Sequence, residues 1–178
     1  GLADKEKNIP MKTDSIFRLF SMSKPVTAAA AMILIERGLF DTRHLLKWFI
    51  PEFSDPVVLD ENGERPADRD ITIGDLLTMT SGIPYPDDTP AGQKMGALWG
   101  EQSEKYLKGE KLLDTVSFAK EMGKRPLMFS PGEKWMYGAS ADIMGAVIEV
   151  VSGMKFGDFL RKEIFEPLGM DDTGFYIP

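Results

Sequence analysis

The sequence predicts an α+β chain in which helices dominate and strands occur only near the ends. Three observations lead there. The run from Ala28 to Ile35 is apolar on nearly every face of a helix. Glycines stand where helices of ordinary length would stop, at Gly38, Gly82, Gly123 and Gly153. Turn-and-strand chemistry is clearest at the start, in GLADKEKNIPM.

GLADKEKNIPM reads as the second half of a hairpin, with its turn near Lys5 to Asn8 and Pro10 closing it. SIFRLF is a short extended entry to the first helix, which runs from about Ser21 to Arg37 with Gly38 as its left-handed stop. Pro25 disfavours the α region for Lys24, so a start at Pro25 is the alternative. Ala28, Ala31, Met32 and Ile35 share one stripe, and the other faces are apolar too, so the whole helix is expected to be buried. A polar loop leads to ITIGDLLTMTSGIPYP. There Thr72 and Asp75 form a capping box, with Asp where Glu or Gln is usual. That short helix is expected to end near Thr80, with Gly82 as its stop. Asp87 to Lys111 reads as helix and loop. DTVSFAKEMG is a helix from Asp114 as N-cap to Gly123 just past its end. A buried helix from about Ser140 to Val151 stops at Gly153, and KFGDFLRKEIFEPLGM makes another. The total is about six or seven helices, with no internal repeat.

Composition removes several function classes. The 178 residues suffice for one domain with a sizeable core. Net charge is −7 and no Lys/Arg cluster appears, which argues against nucleic acid as a partner. The longest apolar run is too short to span a bilayer, and no signal peptide is legible, although the chain begins at Gly1 rather than Met. With no Cys and a single His, the chain has no thiol nucleophile, no disulfide and no Cys/His zinc site, so no metal or other cofactor is expected. The single histidine, His44, sits in the charged and aromatic stretch DTRHLLKWFIPEF, where a surface or half-buried place is the plain expectation. The eleven methionines read as core filler.

FRLFSMSKPVTAAAAMILIERG carries the chemistry. Local rules offer Ser21 the ordinary role of a helix cap. They also allow a second reading, because residues i and i+3 share a helix face and Ser21 Oγ can meet Lys24 Nζ. A lysine in a poorly solvated site near a helix N-terminus has its cationic form disfavoured and can accept a proton. Ser21 would then attack a carbonyl while Lys24 takes its proton, an arrangement that needs no histidine. Tyr137, an aromatic just after the Ser130-Pro131-Gly132 turn, is by itself as consistent with core packing as with chemistry.

Three phrases together resemble the serine β-lactamase and penicillin-binding protein superfamily, specifically its class C β-lactamase and carboxylesterase branch. They are FRLFSMSKPVTAAAAMILIERG, ITIGDLLTMTSGIPYP, and FSPGEKWMYGASADIMGAVIEVVSG followed by EPLGMDDTGF. The resemblance extends from Gly1 to Pro178. It implies a β-lactamase/transpeptidase-like fold, a helical lobe beside an antiparallel sheet flanked by helices. It places the acylated nucleophile at Ser21, the lysine of the S-x-x-K motif at Lys24 and the acid/base tyrosine at Tyr137. Tyr137, as a phenolate or bonded to Lys24, would pass a proton to the leaving group.

Two departures matter. β-Lactamases and penicillin-binding proteins of this superfamily carry a substrate-binding Asn two residues after the tyrosine or serine of the second motif. Here that position is Ala139. The spacing of Tyr137, Asp142 and Gly145 instead resembles the carboxylesterase branch, which tilts the expected substrate toward esters. Ser140 offers a polar group for substrate, with helix capping as its other role. GASAD approaches a G-x-S-x-G elbow but lacks the final glycine. The family's third motif, a strand donating the second oxyanion-hole N–H beside that of Ser21, would lie beyond Pro178. Residues 1–178 are therefore expected to be the N-terminal part of a single hydrolase domain with an incomplete sheet.

The resemblance thus implies an acyl-enzyme serine hydrolase, a carboxylesterase first, acting on a small ester or a β-lactam-like amide. The alternatives are a β-lactamase, a D-Ala-D-Ala carboxypeptidase or penicillin-binding protein, a sensor acylated without turnover, and an inactive half. As partners, a second chain supplying the missing strands or a second copy of this chain is expected.

Overall fold

The computed structural model describes residues 1–176, so the last two residues of the DDTGFYIP phrase lie outside the described residues. Strands β1 (Leu2–Asp4) and β2 (Ile9–Pro10) pair antiparallel across the turn expected at Lys5 to Asn8. The Asp4 carboxylate accepts from the Glu6 and Lys7 N–H groups, and Asn8 takes the left-handed conformation at φ +52°.

Helix α1 covers Ser23–Glu36, two residues later than expected, and Gly38 at φ +71° turns the chain away. Its buried face is Thr27, Ala30, Ala31 and Leu34. The expectation of burial all round fails, because Met32 remains 45% exposed. Small residues at Ala30 and Ala31 let α1 lie close against a later helix, and neighbours cover one side of it only.

The polar loop read after the first helix contains a hairpin, so strands are not confined to the ends. Strand β3 (Val57–Asp60) pairs with β4 (Gly63–Pro66) in unbroken register from Val57 opposite Pro66 to Asp60 opposite Gly63. The hairpin escaped the sequence reading because Val57-Val58-Leu59 does not alternate and β4 has no apolar residue. Backbone bonds dock it instead. The Leu59 N–H donates to Leu127 O, the Leu127 N–H donates to Val57 O, and Val58 is fully buried. No strand follows β4 among the described residues.

Helix α2 (Ile73–Leu77) begins with the expected capping box. Thr72 Oγ1 accepts from the Asp75 N–H and the Asp75 carboxylate accepts from the Thr72 N–H. It ends earlier than expected, and the left-handed residue beyond it is Met79 at φ +58°, not Gly82. Gly82 also has positive φ, in the following loop, where a Cβ would come within 2.4 Å of Phe129 O. Helix α3 (Pro90–Leu107) is capped by Thr89 and α4 (Thr115–Gly123) by Asp114. Gly123 is not a left-handed stop. It lies inside α4, where a Cβ would meet the Glu52 backbone at 3.0 Å, so the glycine serves a close approach.

Helix α5 (Ser140–Ser152) is the axis of the core, with Ile143, Met144, Ala146, Val147 and Ile148 at most 2% exposed. Burying each of its larger side chains contributes about 1.5–3 kcal/mol. Helices α1, α2, α4 and α6 pack around it, and Gly153 ends it in the left-handed conformation. Helix α6 (Phe156–Leu160) continues into a π turn at Arg161–Phe165 and a 3-10 turn at Glu166–Leu168. The helix expected over this phrase is thus wound three ways. Met95, Met122 and Met144 are buried, whereas Met11, Met22 and Met32 are exposed, so core filling accounts for only some methionines.

Candidate active site

Ser21 is not a helix cap. It lies within a 3-10 turn, Phe20–Met22, that leads into α1, where Met22 occupies the N-cap position without a side-chain bond. Its predecessor Phe20 has φ +47°, a left-handed conformation that costs a bulky side chain energy. The turn presents Ser21 at the surface, and the first turn of α1 brings up Lys24. Lys24 Nζ donates to Ser21 Oγ at 3.2 Å.

The third group arrives from 116 residues away. The Tyr137 hydroxyl donates to Ser21 Oγ at 2.5 Å. Two backbone bonds seat the segment that carries Tyr137, from the Met136 N–H to Met79 O and from the Ala139 N–H to Ile83 O. Between them a Cβ on Gly138 would stand 2.2 Å from Ile83 O, so only glycine permits this approach. The three residues expected to act together are therefore brought together.

Lys24 Nζ lies 4.7 Å from the centroid of the Tyr137 ring and 5.4 Å from that of Tyr85, a cation between two aromatic faces. Partial burial works against its charge, but the Tyr137 and Tyr85 hydroxyls outweigh that and raise its pKa. Burial acts on Lys24 in the direction expected, but the net shift runs the other way. Tyr137 is displaced the other way: bonding to Lys24, then to Ser21, holds its hydroxyl below the usual phenol range. Tyr85 is pushed up to about 12, first by burial and then by the Asp142 carboxylate, with Lys24 opposing. Its hydroxyl donates to Asp142 Oδ2 at 2.7 Å.

A cleft of about 520 Å³ opens beside these groups. Ser21, Lys24 and Asp142 line its polar part, and Phe118, Met122 and Phe156 its apolar part. Such volume and lining suit a small organic ligand.

Ser140 contributes nothing to this cleft. It is 1% exposed and its Oγ bonds Ser81 Oγ at 2.8 Å, which ties the start of α5 to the loop before Tyr85. The capping role is also absent, since Ala139 holds the N-cap position. Ala139 is fully buried, so the position offers no amide to the cleft. His44 belongs to the loop after α1, where Nδ1 accepts from the Asp41 N–H and the ring packs on Trp48 and Phe49. Tyr85 is the site residue absent from the sequence reading, and Asp142, named there only for its spacing from Tyr137, gains a role as the Tyr85 partner. Both stand inside phrases that were read, yet no local spacing links a loop tyrosine to a helix carboxylate 57 residues on.

The family profile described as Beta-lactamase matches residues 1–178. The chain is 34% identical to Esterase EstB of Burkholderia gladioli over 178 residues, covering 98% of this chain and 42% of that one. It superposes on the solved structure of EstCE1, a hydrolase with promiscuous acyltransferase activity. The TM-score is 0.72 at 27% identity, over 95% of this chain and 42% of that one. For the octameric penicillin-binding protein homologue from Pyrococcus abyssi the TM-score is 0.62 at 26% identity, over 96% and 35%. The chain thus spans about two fifths of the length of the first curated relatives it matches, 43% and 42%. Among the described residues no helix is long and apolar enough to cross a membrane.

Proposed function

We propose that this chain, which belongs to the Beta-lactamase family, carries the acylation machinery of a serine carboxylesterase. The observation that carries the reading is the convergence of Tyr137 and Lys24 on one oxygen, Ser21 Oγ, at 2.5 and 3.2 Å. Tyr137, as the phenolate favoured by the adjacent ammonium, takes the Ser21 proton while Oγ adds to the ester carbonyl. The tetrahedral intermediate collapses with loss of the alcohol, which receives that proton from Tyr137 and leaves the acyl group on Ser21. Water enters by the same steps reversed and releases the acid. Lys24 stays protonated and holds the phenolate.

Esters are favoured as substrates because the cleft beside Ser21 has an apolar part built from Phe118, Met122 and Phe156, suited to an acyl chain. Buried Ala139 gives no group to hold a substrate amide. The similarity to EstB, named an esterase, agrees with this. A second reading, hydrolysis of β-lactams or D-Ala peptides, draws on the likeness to the Pyrococcus penicillin-binding protein homologue.

Residues 1–178 act in this reading as the N-terminal part of one hydrolase domain, in line with their share of the relatives' length. Exposed Phe17, Phe20, Met22 and Trp135 are then covered by further chain or by a second copy. Reaction with a fluorophosphonate, followed by peptide mass spectrometry, tests the nucleophile: modification is expected on Ser21, and modification elsewhere or nowhere overturns it. Kinetics of the enzyme on p-nitrophenyl butyrate and on a cephalosporin test the substrate, and a higher kcat/KM for the cephalosporin overturns the ester reading.

A further inference from the structure

Two phenols face one ammonium here, and the serine needs only one of them. Tyr137 and Tyr85 stand 5.9 Å apart between ring centroids with Lys24 over both. By proximity to the cation alone, either hydroxyl is a candidate to lose its proton. Were Tyr85 to ionise, the ammonium would be held by an oxyanion that makes no bond to Ser21. The Tyr137 phenol would then lose the cation that activates it.

The structure separates the two through a residue that touches neither Ser21 nor Lys24. The groups facing Tyr85 come from four elements: Lys24 from α1, Asp142 from α5, Tyr137 from the segment before α5, and the Trp99 ring from α3, edge-on at 5.9 Å. Of these, Asp142 alone is an anion, and its Oδ2 accepts the Tyr85 hydroxyl hydrogen at 2.7 Å. We propose that Asp142 is a positioning residue: by accepting from the Tyr85 hydroxyl it fixes Tyr85 as a proton donor and leaves Tyr137 as the one phenol that serves Ser21. The inference rests on the serine-hydrolase reading for its purpose, but its physical content is an order of ionisation that exists without substrate.

Asp142 is placed for this by α5. It stands in the first helical turn, five residues after Tyr137 in sequence, so one short segment carries both the base and the carboxylate that governs the competing phenol. Burial disfavours ionisation of Tyr85 and the carboxylate disfavours it further, whereas Tyr137 is favoured by its bond to Lys24. The device is electrostatic, and a neutral amide at the same place keeps a hydrogen-bond acceptor while removing the charge.

The test is the titration of ring-13C-labelled tyrosine by NMR, assigned with Tyr85→Phe and Tyr137→Phe. In the unsubstituted chain Tyr137 is expected to ionise first. Tyr85 should remain a phenol at about pH 11, where an ordinary tyrosine of pKa about 10 has ionised. Tyr85 ionising before Tyr137 overturns the proposal whatever the variants do. In Asp142→Asn, with the far-UV circular dichroism unchanged, Tyr85 should fall back toward the ordinary value, and an unmoved Tyr85 also overturns it. The acylation profile of the enzyme adds a functional readout. Asp142→Asn should lower kcat/KM, and in a Tyr85→Phe background it should have no further effect; an undiminished effect there shows that Asp142 does not act through Tyr85. Failure of Ser21 to react with fluorophosphonate sinks the hydrolase reading and leaves the titration standing, so the two can fail separately.

Discussion

The Tyr137 hydroxyl lies 2.5 Å from Ser21 Oγ, although 116 residues separate them in the chain. Ser21→Ala removes the oxygen on which both Tyr137 and Lys24 converge. Ser21 is exposed and its bonds are local to the site, so the change in stability should stay within about 0.5 kcal/mol. The expected outcome is complete loss of fluorophosphonate labelling with an unchanged melting temperature. Labelling retained in that variant would show that another group is the nucleophile.

The opposite displacements of Lys24 and Tyr137 agree with the proposed roles of counter-charge and base, and pH tests them. In the proposed mechanism Tyr137 acts as the phenolate, the form that gains as pH rises through its depressed folded value. Acylation should therefore climb with pH and level off below the ordinary phenol value of about 10. Tyr137→Phe should lower the acylation rate about 10²- to 10⁴-fold, as removal of a general base does. Lys24→Met removes the leading cause of the depression, so its residual profile should move to higher pH. Lys24→Arg keeps a positive charge and should retain more activity than Lys24→Met; equal loss in both would return the base role to Lys24.

How much of this was legible follows from which residues speak locally. The Thr72–Asp75 box, the Asp114 cap and the stops at Gly38 and Gly153 are read from neighbours in sequence, and the structure contains all four. Ser21, Lys24 and Tyr137 were legible only through a family phrase, because nothing local tells a nucleophile from a cap or an acid/base tyrosine from a core aromatic. The β3–β4 hairpin, Gly123 against Glu52 and the Tyr85–Asp142 bond were not legible. The last two depend on a partner brought close only by the fold, whereas the hairpin strands are neighbours in sequence that lack the apolar alternation of a strand. For Lys24 the sequence offers burial and a bond to Tyr137, but not the second phenol, Tyr85, that also raises its pKa.

Gly138 is where the fold meets the site. Gly138→Ala places a methyl 2.2 Å from Ile83 O, a backbone atom that cannot swing away as a side chain can. Relief requires the 136–139 segment to lift from the 79–83 loop, which carries Tyr137 off Ser21. The expected cost is about 1–3 kcal/mol in stability, with a larger proportional loss of acylation than of folded protein. Thermal melts and labelling rates on the same sample check this. A variant as stable and as reactive as the parent would mean that the segment tolerates the methyl.

Asp75 holds the other end of that loop. It is 5% exposed, its two oxygens take both Arg69 NH groups at 2.7 and 2.8 Å, and it also accepts from the Thr72 N–H and the Thr80 hydroxyl. Burial alone would raise its pKa, but Arg69 and Thr72 outweigh it and the folded value lies below the ordinary one. A carboxylate depressed in the folded state contributes stability that is complete above its unfolded value, about 3.9, and is lost as pH falls through the folded value. The melting temperature should therefore hold from neutral pH down to about pH 4–5 and decline below, through this group among others. Asp75→Ala leaves Arg69 and the Thr72 N–H without their acceptor at the start of α2, a loss of about 1–3 kcal/mol. Because the loop after α2 supplies the Met79 and Ile83 carbonyls that seat the Tyr137 segment, the same variant should also slow Ser21 labelling. Denaturant melts across pH, set beside labelling rates, separate the two effects, and unchanged labelling in a destabilised Asp75→Ala would show that the clamp supports the fold without holding the site.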